Sequence, residues 1–185
     1  MQKLRTWDFW RDIIICFTAF SWLGHFMEMA IIGVGCLFSG RTTNFGIFDN
    51  WFEPYYVYGF AVIAIIIIIT ILPKKIARNL PAQFVINTAV CMIFEIIAGL
   101  FILWQYDRRF WDYSEKFLNF HGFICLENSL FFGVAATGFS YFLYPILRRN
   151  LEKIIPPRIR NIAAIILPIV AVGVTLFDVL WYNVK

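Results

Sequence analysis

Five apolar segments separated by short polar stretches dominate this chain. They run roughly over residues 12–38, 55–72, 81–106, 122–147 and 160–181. Each reaches or approaches the ~20 residues an α-helix needs to cross the hydrocarbon of a bilayer. The second contains five consecutive isoleucines at positions 65–69. A soluble fold of this size has no interior that could hide such runs. Hydrophobic residues make up 61% of the 185 positions and charged ones 15%, against roughly 25% charged in ordinary soluble domains. The expected fold is therefore all-α, with residues 1–185 forming a single transmembrane domain, a polytopic bundle of five membrane-spanning helices. Pro81 is a favourable first helical residue for the third span, and Pro168 is expected to kink the fifth. Trp7, Trp10, Trp51, Trp104, Trp111 and Trp181 lie near segment ends, where an aromatic belt belongs. No small-residue cleavage site follows the first segment, so it is expected to remain as a helix rather than to act as a removable signal.

Lysine and arginine set the expected orientation. Lys3, Arg5 and Arg11, then Lys74, Lys75 and Arg78, then Arg148, Arg149, Lys153, Arg158 and Arg160 fall in three polar regions that share one side of a five-span protein. The other side has Arg41, Arg108, Arg109, Lys116 and Lys185. The positive-inside rule then puts the N-terminus in the cytoplasm and the C-terminus outside, in a multi-pass protein of the plasma membrane. The net charge of +4 reads as a cytoplasmic surplus facing anionic membrane lipids, not as a nucleic-acid signal. Residues 148–160 mix these cations with Leu151, Ile154 and Ile155, then Pro156 and Pro157. They read as a short interfacial helix at lipid headgroups, or as a dock for a cytosolic partner.

Four carboxylates lie inside the apolar segments: Glu28, Glu95, Glu127 and Asp178. A carboxylate in hydrocarbon costs roughly 2.5–3.5 kcal/mol on insertion scales, so such groups are expected to face the bundle interior. Their neighbours agree. Ser21, Gly24, His25 and Glu28 share a helical face, as do Asn87, Cys91, Glu95 and Gly99. Ser129, Gly133, Ala136 and Ser140 form a small-residue stripe that lets helices approach closely. These stripes point to an outward-facing acidic cavity. Glu28, Glu95, His25, Asn87, Trp111, Asp112 and Tyr113 are its expected substrate-binding residues, and Glu127 and Asp178 form a secondary acidic group. Tyr55, Tyr56 and Tyr58 add aromatic faces for an organic cation. The competing reading is interhelical hydrogen bonding or ion pairing without a ligand.

Several chemistries are not supported. His25 and His121 lack the spacing of a metal motif, so neither a metal nor another cofactor is expected. Cys16, Cys36, Cys91 and Cys125 form no C-x-x-C pair and read as packing residues, with a Cys36–Cys125 disulfide left open. Gly35, Gly40, Arg41 and Thr42 mimic a phosphate-binding loop, but the stretch follows an apolar helix rather than a strand. No nucleophile motif is present, and the enzymatic reading is the weaker one.

The most distinctive block precedes the fourth segment: Trp111, Asp112, Tyr113 and Ser114, then Asn119, Gly122, Ile124, Cys125, Ser129 and Gly133. It resembles the W-D-Y-S…N-x-x-G-x-I-C signature of a bacterial membrane family catalogued as ABC-transporter permeases, the CmpB-like or type IV group. Ser21, Gly24 and Glu28 resemble that family's first helix. Asn44, Gly46, Pro54, Tyr58 and Gly59 resemble its first loop, and Glu95 and Gly99 its third helix. The resemblance implies a permease-like transport component. The acidic cavity suggests a small cationic or zwitterionic solute, and a separate cytosolic ATPase subunit or an ion gradient would supply the energy. The residues alone leave two alternatives. One is a membrane-embedded enzyme acting on a lipid or envelope precursor. The other is a non-catalytic assembly or sensor subunit.

Overall fold

The computed structural model describes residues 6–39 and 53–184. Among them the chain is helical, with no strand. Helix α1 (Trp7–Ser39) opens with Asp8 in its first turn, where a carboxylate complements the helix dipole. Helix α2 (Tyr56–Ile71) follows Pro54 and stops before Pro73. A single turn, α3 (Lys74–Ala77), leads to α4 (Leu80–Tyr106). The Asn79 side chain caps α4 by accepting from the Ala82 N–H at 3.0 Å, with Pro81 in the first turn. Helix α4 ends at Asp107, whose left-handed conformation (φ 49°) lets its N–H reach the Leu103 carbonyl. Helix α5 (Leu126–Thr137), a π-helical turn (Gly138–Leu143) and α6 (Tyr144–Ile154) follow without interruption. Helix α7 (Pro157–Val184) contains Pro168 and continues through it.

Four helical runs are long and apolar enough to cross a membrane: Trp7–Phe38, Leu80–Tyr106, Leu126–Asn150 and Pro157–Leu180. Helix α2 is apolar but only 16 residues long, about 24 Å against a hydrocarbon thickness of about 30 Å. Length alone thus supports four of the five expected spans. Two boundaries also differ from expectation. The fourth span starts at Leu126 rather than Gly122, because Gly122 is left-handed (φ 74°) and Phe120 bridges to Ile124. The basic segment expected as an interfacial helix is instead divided between the end of the α5–α6 run, up to Ile154, and the start of α7 at Pro157. The π turn carries the chain through to Ile154 without a break.

The chain divides into two compact units. One comprises Thr6–Gly59 with Pro157–Lys185 and pairs α1 with α7. Its core includes Phe9, Ile13, Ala164 and Ala171. The other comprises Phe60–Pro156 and pairs α4 with α5. Here the stripe Ser129, Gly133, Ala136 and Ser140 is buried, as its spacing predicts. A Cβ at Gly133 would run into Thr88 and Phe84, so glycine is what permits this α4–α5 approach. On the opposite side of α4, Val85, Ile93, Ile97, Phe101 and Trp104 form an exposed apolar stripe suited to lipid.

Candidate functional site

In the α1–α7 unit, the predicted face of α1 meets the start of α2. Tyr58 donates its hydroxyl proton to Glu28. The Tyr55 N–H donates to the Ser21 carbonyl at 2.9 Å. His25 is buried, and its ring lies edge-on to Tyr55 with centroids 4.8 Å apart. Two glycines make this contact close. A Cβ at Gly24 would overlap the Tyr58 ring, and one at Gly59 would overlap Ser21 and Phe17. The result is a carboxylate, a phenol and an imidazole gathered between two helices. Such a group can hold a cation against the carboxylate and aromatic faces, or exchange a proton. Asp178 of α7 belongs to the same unit, and its Oδ2 is buried with no hydrogen-bond partner among the described residues. Thr175, one turn before Asp178 on α7, shares a 2.8 Å hydrogen bond with Tyr56.

The N-terminal ends of α1 and α7 hold a second polar layer, which the sequence reading had counted only as loop charge. Arg11 donates to Asp8 at 2.5 Å, to Asp12 at 3.0 Å and to Asn161 at 3.3 Å. Arg160 reaches both oxygens of Asp12 at 3.3 Å. Both guanidiniums are buried, at 1% and 9% exposure. Burial at that level is rare for arginine unless it is paired.

In the α4–α5 unit, Asn87 is fully buried and donates to Thr137 at 3.2 Å and Ser140 at 2.9 Å. Ser140, on the π turn, passes its own proton to Gln83 at 2.8 Å. The Asn87 Oδ1 has no hydrogen-bond partner among the described residues. Glu95 is half-buried on the same face, between Cys91, which approaches the Phe132 carbonyl at 3.9 Å, and Gly99. Gly99 accommodates Phe123 and Trp111.

The loop from Asp107 to Cys125 is tied together by its own side chains. Trp111 donates its indole N–H to the Phe123 carbonyl at 2.9 Å. Asp112 accepts from the Ser114 hydroxyl at 2.5 Å, from the Ser114 N–H at 2.9 Å and from Arg109 at 3.4 Å. These bonds, the Ser114 hydroxyl first, hold its carboxyl below the usual carboxylate range. Arg109 also donates to the His121 carbonyl at 2.9 Å and lies over the Phe123 ring. The Tyr113 N–H donates to the Gly122 carbonyl. Glu127 is exposed and paired with Lys116 at 3.1 Å.

The predicted residues therefore fall into separate groups. His25 and Glu28 come together with Tyr58, whose direct bond to Glu28 the sequence did not show. Asn87 sits in a hydrogen-bonded cluster that also recruits Gln83. Trp111 and Asp112 are engaged in folding the loop itself. All four cysteines are free, which removes the Cys36–Cys125 disulfide. Among the described residues, no group of three or more His, Cys, Asp or Glu side chains is arranged to hold a metal ion. Gly35 lies within α1, and the remainder of the phosphate-loop mimic, Gly40 to Thr42, falls outside the described residues. So do Asn44 and Gly46.

Membrane-length apolar helices with buried polar layers define a helical membrane protein. The family model described as "Putative ABC-transporter type IV" matches residues 15–179, and the chain belongs to that family. No curated protein and no solved structure matches the chain.

Proposed function

We propose that this protein is a membrane permease subunit of an ATP-driven transporter, binding a small cationic or zwitterionic solute at Glu28. The observation that carries the reading is the Glu28–Tyr58 hydrogen bond inside a membrane-length helix, beside buried His25 and the face of Tyr55. A carboxylate at such a position is costly and is normally tied to a ligand or ion path. Tyr58 orients it and keeps a donor beside it when the site is empty. Family membership supports the transport setting and an ATPase partner. Glu95 lies in the other unit and is a second candidate for contact with solute. The chain is placed in the plasma membrane with its N-terminus in the cytoplasm, which follows from the lysine and arginine distribution.

Thermal unfolding in detergent with added tetramethylammonium chloride tests the cation site, with sodium chloride at equal ionic strength as the reference. A ligand bound only by the folded state raises the melting temperature, by an amount that grows with the logarithm of its concentration once that exceeds the dissociation constant. Wild type is expected to be stabilised by tetramethylammonium, and Glu28→Gln is not. Equal stabilisation of the two proteins contradicts the assignment of Glu28.

A further inference from the structure

The loop after α4 does not project away from the helix end. Phe123 and Trp111 pack at Gly99, seven residues before Tyr106. Leu118 lines a cavity of about 130 Å³ together with Thr88 and Met92 of α4 and Ser129 of α5. Met92 lies fourteen residues before Tyr106, about 21 Å along the axis at a rise of 1.5 Å per residue. The loop thus folds back beside the apolar part of α4.

Its surface is not that of a loop in water. Phe117, Leu118 and Phe120 are 75%, 65% and 54% exposed. Their surface continues into the exposed Leu126 and Leu130, which line the same cavity as Leu118. Leu118 and His121 both adopt left-handed backbone (φ 49° and 50°), which side chains other than glycine rarely do, so the turn holds an unusual shape. From Phe117 to Leu126 there is no acidic or basic residue apart from His121. The tip's one amide side chain bonds to the loop's own backbone. Asn119 donates to the Ser114 and Lys116 carbonyls at 2.9 and 3.0 Å and accepts from the Gly122 N–H at 3.2 Å. The Phe120 N–H is closed by the Ile124 carbonyl. These bonds satisfy the Asn119 side chain and the Phe120 and Gly122 N–H groups from within the loop, as a hydrocarbon surrounding demands. The charges stand to either side of the tip, with Lys116 on Glu127 and Arg109 on Asp112.

We infer that the tip of this loop is inserted in the membrane, with Phe117, Leu118 and Phe120 in contact with acyl chains of the leaflet at the C-terminal end of α4. The Lys116–Glu127 pair then lies at headgroup level. The loop is a lipid-facing element, not a lid over a soluble ligand.

Wild-type protein in liposomes carrying a lipid with a diazirine in its acyl chain provides the direct test. After illumination and proteolysis, residues 117–120 are expected to carry label at a level comparable with Ile93 and Ile97 of α4. Label on Ile97 with none on 117–120 overturns the inference. Spin labels at Phe117→Cys and Leu118→Cys, in a background with the native cysteines replaced, give a second reading in the same liposomes. They are expected to collide with oxygen in preference to a water-soluble nickel chelate, as a label at Ile97→Cys does. Preference for nickel, or shielding from both reagents, overturns it.

Discussion

Replacing Asp12 with alanine is expected to destabilise the α1–α7 unit strongly. The Asp12 carboxylate lies between two guanidiniums, 3.0 Å from Arg11 Nε and 3.3 Å from Arg160 Nη1. The Arg11 and Arg160 side chains are 2% and 10% exposed, and that of Asp12 is 27% exposed. Removing one member of a buried pair strands a charge and costs about 3–5 kcal/mol. Asp8 stays on Arg11 at 2.5 Å, and Asp12 is itself partly exposed, so the lower end, about 3 kcal/mol, applies. For a chain of this size, 1 kcal/mol moves the melting temperature by roughly 2–4 °C, giving a fall of about 6–12 °C. The assay is thermal unfolding in one detergent, followed by circular dichroism. Asp8→Ala is the control. Its side chain is 75% exposed, and surface pairs contribute about 0–1 kcal/mol. Adding Arg160→Met to Asp12→Ala removes one stranded charge and is expected to recover part of the loss. A fall for Asp12→Ala no larger than that for Asp8→Ala would refute the buried-pair account.

Three further outcomes follow from the α4–α5 unit. Gly122→Ala puts a Cβ against Arg109, Asp112 and Ser114 at a φ of 74°, a backbone cost of about 1–2 kcal/mol before any clash. Faster amide exchange is expected across residues 107–125, with α4 unchanged. Asp112 has its pKa lowered from an ordinary value of 3.8, chiefly by Ser114. Its contribution to loop order is therefore fully present above that value and is lost as pH falls through the depressed folded pKa. Amide exchange corrected for intrinsic rate should show the loop protected at neutral pH and loosened only below pH 3.8, and Ser114→Ala should move that loosening to higher pH. Asn87→Ala deletes two buried bonds from α4, one to the end of α5 and one to the π turn that follows it. It is expected to lower stability by about 1–2 kcal/mol in detergent unfolding, the scale of interhelical hydrogen bonds in membranes.

Much of the fold was legible because lipid imposes a simple rule on composition. Long apolar runs located the helices, and 3.6-residue periodicity located the faces carrying Glu28, His25 and Asn87. Details that depend on distant contacts were not legible. Gly122 has a permissive backbone in any sequence, but its left-handed turn follows from the Asn119, Tyr113 and Arg109 bonds around it. Helix α1 starts at Trp7 rather than Asp12, and the Arg11–Asn161 and Arg160–Asp12 contacts hold that first turn. A π turn leaves no pattern in residue types, so residues 122–147 read as one regular helix, with neither the turn at Gly138–Leu143 nor the extension to Ile154 in view. The site shows the same division. Spacing puts Glu28 on an inward face, but only the fold brings the Tyr58 hydroxyl to it. Gly24 and Gly59 were the available signal, since paired small residues mark where another helix presses close. Trp111 and Asp112 read as ligand residues because tryptophan and aspartate in a polar loop fit binding and turn chemistry equally well. The hydrogen bonds to Phe123 and Ser114 show their part in the turn.

Native mass spectrometry of the complex extracted gently from its own host tests the transport reading most directly. The expected spectrum shows this chain with a stoichiometric ATPase subunit and a small cationic or zwitterionic adduct that disappears in Glu28→Gln. A chain that flies alone or as a homo-oligomer, carrying only lipid and giving the same spectrum in Glu28→Gln, would contradict the account.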